Sequence, residues 1–236
     1  MLLQTRLQTT LRATVLLSAA TLFMSSIAAD DAKPKPCPKA DKSTALFDGE
    51  SLKNWKRTDF GDESRVTVED GTLIFHAGKP LSGITWDGDE LPRVDYEISL
   101  EAQRVEGSDF FCGLTFPVQD DPCTLILGGW GGSLTGLSSI NYLDASENET
   151  TDFFEFENGK WYKIRVRVTQ TKIQAWLDDT ELADVDYSEQ KIGIRFEMEP
   201  CKPLGYATYR TKAAVRHFKI RLLSEEEKLT TDDEDS

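Results

Sequence analysis

Apolar and polar residues alternate with a period of two along much of the chain. Asp95–Gln103 places Tyr96, Ile98, Leu100 and Ala102 on one side of the chain and polar residues on the other. Successive side chains of a β-strand point to opposite faces, so this pattern predicts a strand with one apolar face. By the same criterion we expect strands over Arg65–Val68, Thr72–His76, Asp95–Gln103, Trp161–Thr169, Lys172–Leu177, Lys191–Met198 and Ala213–Leu222.

Polar turns separate these segments. Glu69-Asp70-Gly71 lies between two of them, and Asp178-Asp179 follows another, which predicts two β-hairpins. Long runs with the 3.6-residue period of an amphipathic helix are missing between residues 44 and 223. Many short alternating strands joined by polar turns predict an all-β fold, an antiparallel two-sheet β-sandwich or jelly roll.

The N-terminus has the layout of a cleavable secretory signal. Arg6 and Arg12 give a positive start, Ala13–Phe23 is apolar, and Ala28 and Ala29 are small residues suited to cleavage. A stretch of eleven residues is too short to cross a hydrocarbon layer of about 30 Å. We therefore expect a signal peptide over residues 1–29 and export to the periplasm or the extracellular space.

Composition divides the rest of the chain. Residues 30–43 are rich in proline and charge and predict a linker, whereas residues 224–236 form an acidic tail that we expect to be disordered. Residues 44–223 then form one domain of sandwich size. No second stretch is apolar enough for a membrane span.

The charge of the chain excludes some partners. The formal net charge is −14, and loss of residues 1–29 would remove two arginines and no acids. Such a surface repels phosphate backbones and anionic lipids, so nucleic acid is not an expected partner. Neutral carbohydrates and metal cations are compatible with it, and the oligomeric state is left open.

Four cysteines in an exported protein favour disulfides. They are Cys37, Cys112, Cys123 and Cys201, which allow three sets of pairs. Cys112 and Cys123 flank an apparent short hairpin loop over Pro117–Pro122, so we expect them to pair. Cys37–Cys201 would then follow by exclusion.

The segment Gly128–Gly132 places one tryptophan between two pairs of glycines. Glycine permits left-handed backbone and close approach of a ligand, and a tryptophan ring can stack on the apolar face of a sugar. Trp130, Gly129 and Gly131 are therefore candidate substrate-binding residues. The alternative is a β-bulge whose tryptophan closes the edge of the sandwich.

Carboxylates are the acids and bases present in number, because the chain has only two histidines. In the expected strand Lys191–Met198 and just beyond it, Arg195, Glu197 and Glu199 share the face opposite the apolar one. Alternate residues of a strand lie about 6.5–7 Å apart, within the range of the carboxylate pairs of glycoside hydrolases. Glu197, Glu199 and Asp109 are thus candidate catalytic residues and Arg195 a candidate substrate-binding residue; the alternative is an exposed, salt-bridged face.

An oxygen-rich stretch over residues 144–152 offers a different chemistry. Hard cations such as Ca²⁺ take six to eight oxygen ligands, so Asp144, Glu147 and Glu149 are candidate ligands of a divalent cation. The spacing and glycine of an EF-hand loop are missing, and a solvated acidic turn is the alternative.

Five motifs, in order, resemble one family. They are Leu46–Lys56 (LFDGESLKNWK), Val68–Leu73 (VEDGTL), Gly159–Ile164 (GKWYKI), Lys172–Asp179 (KIQAWLDD) and Val215–Ile220 (VRHFKI). Together they resemble the 3-keto-disaccharide hydrolase domains of bacteria, over about residues 44–223. This resemblance implies a concanavalin A-like jelly roll and a hydrolase that cleaves 3-keto-disaccharides or glycosides.

The resemblance also implies a mechanism, because a 3-keto group acidifies the neighbouring C–H and lets one general base start an elimination. The middle of the chain differs from the family pattern, since N-S-G-I-x-x-R and Y-E-x-Q-I-x-D are replaced by Ser108–Phe116 and Cys123–Gly132. A non-catalytic carbohydrate-binding module of the concanavalin lectin type is therefore an alternative, and an interaction domain is a third.

Overall fold

Fifteen β-strands form two antiparallel sheets in the computed structural model, which describes residues 42–61 and 65–232. The strands are β1 (Thr44–Ala45), β2 (Trp55–Arg57), β3 (Val66–Glu69), β4 (Thr72–Phe75), β5 (Leu81–Trp86), β6 (Tyr96–Glu106), β7 (Cys112–Val118), β8 (Asp121–Gly129), β9 (Leu134–Ser138), β10 (Asp152–Phe153), β11 (Tyr162–Val168), β12 (Lys172–Leu177), β13 (Thr180–Asp186), β14 (Gly205–Tyr209) and β15 (Lys212–Leu222). A 3₁₀ helix spans Phe196–Cys201, and helix α1 spans Glu225–Asp232. The expected signal peptide, most of the linker and Cys37 lie outside the described residues.

The two sheets face each other across one apolar core. The first sheet has the order β13-β12-β11-β6-β15-β4-β3, with β1 paired to β15, and the second has the order β10-β9-β8-β7-β14-β5-β2. Phe75 of β4 contacts Tyr206 of β14 at 4.9 Å between ring centroids, and Trp55 of β2 contacts Phe218 of β15 at 5.2 Å. The predicted all-β, two-sheet sandwich is confirmed.

The alternating segments form the strands at the centre of the first sheet. In β6, Tyr96, Ile98, Leu100 and Ala102 are buried, as the period of two predicts. Both predicted hairpins are present, and the first has Asp70 and Gly71 in left-handed conformation between the paired residues Glu69 and Thr72. Two residues with positive φ match the right-handed twist of the flanking strands.

The predicted strand Lys191–Met198 is wrong. Its pairing is limited to an isolated bridge of Ile192 with Ile140, and the chain then enters the 3₁₀ helix. Ile194 and Met198 pack against the outer face of the second sheet, and Phe196 is exposed. Pro200 lacks a backbone N–H and cannot continue a ladder, which is consistent with the early end of pairing.

The predicted Cys112–Cys123 disulfide is also wrong. The two cysteines lie on paired strands, but Cys112 is opposite Leu127, four positions from Cys123. This offset places their Cα atoms on the order of 13 Å apart, whereas a disulfide needs about 4.4–6.8 Å. Cys112, Cys123 and Cys201 are free and buried, and burial raises the pKa of each thiol to about 12.

Part of the tail that we expected to be disordered has regular structure, because residues 225–232 form helix α1. The Ser224 hydroxyl accepts a hydrogen bond from the backbone N–H of Glu227 (3.3 Å), and the Glu227 carboxylate accepts one from the Ser224 N–H (2.9 Å). This reciprocal pair is a capping box, which stabilises the first turn of a helix. Arg221 of β15 also binds Glu227, at 2.7 Å. Within residues 42–61 and 65–232, no helix has the length and apolar character needed to cross a membrane.

Candidate functional site

A cleft of about 430 Å³ lies on the outer face of the second sheet. Ile126 of β8 lines it and lies outside the main core cluster, unlike its neighbours Leu125 and Leu127, which fixes the face on which the cleft opens. Four of the residues singled out in the sequence line this cleft: Asp109, Trp130, Arg195 and Glu197. The apolar part of the wall comes from Pro80, Leu81, Phe110, Ile126, Met198 and Tyr209. The cleft thus combines an apolar wall with a few charged groups, as small-molecule sites do.

The turn between β8 and β9 holds Trp130 at the rim of the cleft. The register shifts between Leu127 and Gly129, so the expected β-bulge is present. Trp130 has a φ of 48° and is 48 % exposed, and Gly131 follows with a φ of 96°. Left-handed backbone strongly favours glycine, which accounts for the glycine pairs around this tryptophan. The bulge of the alternative is present, but its tryptophan is half-exposed at the rim of the cleft, and substrate binding by Trp130 stays a prediction.

A buried guanidinium supports this turn from inside. Arg104 donates from Nη1 to the Gly132 carbonyl (3.1 Å), from Nε to Asn158 Oδ1 (2.7 Å), and from Nη2 to the Phe156 carbonyl. Burial among these neutral acceptors lowers the pKa of Arg104 below its ordinary value. Sequence reasoning missed this residue. The available signal was its place on the inward face of β6, two positions after the buried Ala102.

Arg195 is the centre of an ionic group at one side of the cleft. It contacts Asp144 at 2.5 Å and both carboxylate oxygens of Glu197 at 3.0 and 3.3 Å. Burial alone would raise the pKa of Glu197, but hydrogen bonding to Arg195 lowers it below its ordinary value. In Asp144, burial is likewise outweighed by hydrogen bonds from Ser146 and Arg195, and the pKa is lowered. Both carboxylates are therefore ionised at neutral pH, and Arg195 is held in place by two anions.

Asp109 differs from Glu197 in its nearest cation, because the charge of Arg104 acts on it without an ion-pair contact. Its Oδ1 accepts a hydrogen bond from the N–H of Phe110 (2.8 Å), and its backbone N–H donates to the Thr211 hydroxyl (3.2 Å). Among the described residues the carboxylate forms no ion pair. It is half-buried, lines the cleft, and has capacity to accept a further proton or hydrogen bond.

A second cleft of about 520 Å³ adjoins the first, and Arg195 and Glu197 line both. Glu199, expected next to Glu197, lines only the second cleft and forms an ion pair with Lys202. The segment is a 3₁₀ helix and not a strand, and only Glu197 of the two glutamates also lines the first cleft.

The predicted cation ligands are only partly brought together. Asp144 and Glu147 line the second cleft, whereas Glu149 accepts a hydrogen bond from Gln190 (3.0 Å) and lies outside both clefts. In the part of the chain that the structure describes, no group of three or more His, Cys, Asp or Glu side chains is arranged to hold a metal ion. The divalent cation stays a prediction.

Two aromatic residues of the second cleft were missed in the sequence. Tyr142 is 85 % exposed and Phe196 is 79 % exposed. Phe196 was assigned to the apolar face of a strand, and Tyr142 lies in a two-residue turn that closes on itself through mutual hydrogen bonds of Ile140 and Leu143. The period of two gives no signal for either position.

Comparison with known proteins gives a family and a fold. The sequence matches the 3-keto-alpha-glucoside-1,2-lyase-like domain over residues 42–221. Among solved structures, the Crh5 transglycosylase in complex with NAG is 11 % identical with a TM-score of 0.52, covering 79 % of this chain and 85 % of that chain. A Bacillus subtilis protein of unknown function with a galectin-like fold is 8 % identical with a TM-score of 0.52, covering 77 % and 96 %.

A third structure, a carbohydrate esterase of Shiga toxin-encoding bacteriophage phi24B, is 11 % identical with a TM-score of 0.52, covering 77 % of this chain and 97 % of that chain. At these identities the three structures establish the fold alone. A search of curated proteins finds no match to the sequence.

Proposed function

Because the chain belongs to the 3-keto-alpha-glucoside-1,2-lyase-like domain family, we propose that it cleaves 3-keto-glycosides in the cleft beside Trp130. The observation that carries the proposal is the convergence of Asp109, Trp130, Arg195 and Glu197, which come from distant parts of the sequence, on one cleft. A base, a cation and an exposed aromatic ring are then available to one sugar.

The chemistry follows from the ketone of such a substrate. A carbonyl at C3 acidifies the C2–H bond, so a general base can remove that proton. The C1–O bond to the leaving group then breaks, a C1=C2 double bond forms, and the leaving oxygen takes up a proton. Water that adds across the double bond in a later step gives net hydrolysis. One well-placed base is enough to start this sequence.

Each side chain of the cleft has a role in this proposal. Asp109 acts as the base, since its carboxylate forms no ion pair among the described residues. Arg195 stabilises the negative charge that develops on the C3 oxygen, and the ionic contacts of Glu197 and Asp144 hold its guanidinium in position. Trp130 offers its ring to the apolar face of the sugar.

The ion pair of Glu197 argues against ordinary two-carboxylate glycoside hydrolysis. That mechanism uses one carboxylic acid and one carboxylate on either side of the bond. Glu197 is bound by Arg195, and Glu199 lines the neighbouring cleft. One unpaired carboxylate supports elimination. The ion pair of Glu197 also supports the second candidate function, a carbohydrate-binding module without catalysis.

The test is turnover of methyl 3-keto-α-glucoside, with binding measured in parallel by calorimetry. We expect the wild type to release methanol, and Asp109→Asn to lower kcat by about 10²–10⁴-fold while binding persists. Asp179→Asn, in the exposed turn between β12 and β13, is the matched control and should leave kcat unchanged. If the wild type bound the sugar without turnover, the proposed enzyme activity would be refuted and the carbohydrate-binding module would be the supported function.

The proposal includes two further parts, export of the protein and a divalent cation that supports its activity. The positive, apolar and small-residue regions of residues 1–29 support export, and N-terminal sequencing of the secreted protein tests cleavage after Ala28 or Ala29. A chelator added to the turnover assay, followed by Ca²⁺, tests the cation.

A further inference from the structure

The second cleft shares a wall with the first. Arg195 and Glu197 line both, so the two clefts lie on either side of one ion pair. The Arg195 side chain is 44 % exposed, and its contacts to Asp144 and Glu197 use three of its five N–H groups. A ligand that occupies both clefts would pass this guanidinium.

The second cleft presents two aromatic rings to solvent. Single exposed apolar side chains are common on proteins, but Tyr142 and Phe196 line the same concave surface. The backbone of Asn141 fixes the turn that carries Tyr142, donating from its N–H to the Lys191 carbonyl (2.7 Å). The Asn141 side chain accepts from the Lys191 N–H (2.9 Å). The ring of Tyr142 therefore stands on a braced turn.

Charged groups surround these rings, and acids outnumber cations. Each cation forms an ion pair. Lys191 pairs with Asp121 at 2.8 Å and Lys202 pairs with Glu199. Arg195 pairs with Asp144 and Glu197. Six carboxylates and three cations line the cleft: Asp120, Asp121, Asp144, Glu147, Glu197 and Glu199, with Lys191, Arg195 and Lys202. The surplus of carboxylates accepts hydrogen bonds from hydroxyl groups and repels anions.

We propose that the second cleft is the subsite for the leaving-group sugar, which is uncharged and lies against Tyr142 and Phe196. The inference rests on the proposed function in placing the keto sugar in the first cleft. A disaccharide then occupies both clefts, with one ring beside Trp130 and the other beside Tyr142 and Phe196, whereas a methyl glycoside occupies the first cleft alone. Arg195 lies between the rings, near the bond that breaks.

The test compares two substrates that differ only in the leaving group: methyl 3-keto-α-glucoside and the 3-keto derivative of maltose. In the double variant Tyr142→Ala/Phe196→Ala we expect KM for the disaccharide to rise about tenfold and KM for the methyl glycoside to stay within twofold. Phe153→Ala is the matched control, because Phe153 is 66 % exposed on β10 and lines neither cleft. Equal effects on both substrates, or no effect on either, would overturn the subsite.

Binding of unmodified maltose and methyl α-glucoside, measured by calorimetry, separates this inference from the proposed function. If neither keto substrate turns over but the double variant selectively loses maltose binding, the proposed enzyme activity is refuted and the second cleft stands as a binding site for a second sugar ring. If the wild type binds neither sugar, the subsite is refuted. A 3-keto disaccharide whose second ring is a glucuronic acid should bind about tenfold more weakly than 3-keto-maltose, and equal binding would refute an uncharged leaving group.

Discussion

Arg104 places a guanidinium at an inward position of β6, after four buried apolar side chains on the same face. A buried cation is costly unless hydrogen bonds replace its water. Here the acceptors are the carbonyls of Gly132 and Phe156 and the side chain of Asn158. One side chain therefore ties the Trp130 turn to the segment that precedes β11. This makes Arg104 a positioning residue for the cleft.

We expect Arg104→Met to keep much of the apolar volume but to leave two buried carbonyls, those of Gly132 and Phe156, without this donor. An unsatisfied buried group costs about 1–3 kcal/mol, so the free energy of unfolding should fall by at least that amount. The Trp130 turn should also loosen, which weakens sugar binding. Denaturant unfolding and calorimetry measure both.

Arg93→Met is the control for this prediction, because Arg93 is exposed and its two hydrogen bonds are long, at 3.3 and 3.5 Å. Its effect on unfolding should lie within about 0.5 kcal/mol. If the two variants lost equal stability, or Arg104→Met bound sugar normally, the positioning role would be wrong.

The elements divide into those that alternation can predict and those that tertiary contacts decide. β6 and β11 were predicted because each has one face on the core and the other outside. The segment 191–198 alternates equally well, yet it lies across the outer face of the second sheet. Gly205 of that sheet makes room for the end of the 3₁₀ helix, since a Cβ at this position would meet the Cys201 carbonyl at 2.6 Å. A period of two does not distinguish a paired strand from a segment that covers a sheet.

The same limit applies to the candidate site. Asp109, Trp130, Arg195 and Glu197 could be named from residue type, and they meet in one cleft. Their meeting depends on β7, β8 and the 191–201 segment coming together, which no local pattern contains. Tyr142 was missed because its exposure is a property of the turn that carries it.

Helix α1 docks on the first sheet through Glu227, the glutamate of its capping box. The hydrogen bond from Arg221 holds the pKa of Glu227 well below its ordinary 4.5, at about 2. Since the folded pKa is lowered, this contribution to stability is complete above pH 4.5 and is lost as the pH falls towards 2. We expect the amides of α1 to exchange faster with solvent over that range, as hydrogen exchange measures.

Glu227→Gln should loosen α1 already at pH 6 and abolish its response between pH 4.5 and 2. Glu225→Gln is the control, because Glu225 is 88 % exposed and pairs only with Lys228 in the contacts resolved for α1. The docking argument fails if Glu225→Gln and Glu227→Gln change exchange in α1 to the same extent.

At the scale of the whole molecule, one apolar core joins both sheets. Phe111, before β7, contacts Tyr162 of β11 at 6.0 Å between ring centroids, and further aromatic pairs cross between the sheets at Phe75 and Phe218. Each sheet covers the apolar face of the other, so neither has a core of its own. Both clefts lie on the outside of the second sheet and depend on this shared core.

This dependence predicts that a cavity in the first sheet makes the second sheet unfold, and lose sugar binding, under milder conditions. Phe75 is fully buried on β4, so Phe75→Ala should lower the free energy of unfolding by about 3–5 kcal/mol. Circular dichroism and tryptophan fluorescence should report one shared transition, and sugar binding should be lost with it. Phe153→Ala removes the same side chain from an exposed site and should change stability by less than about 0.5 kcal/mol. If the second sheet kept binding sugar after the first sheet of Phe75→Ala had melted, the sheets would have separate cores. Sheets that depend on one core melt together because the apolar face that one loses is the face that the other needs.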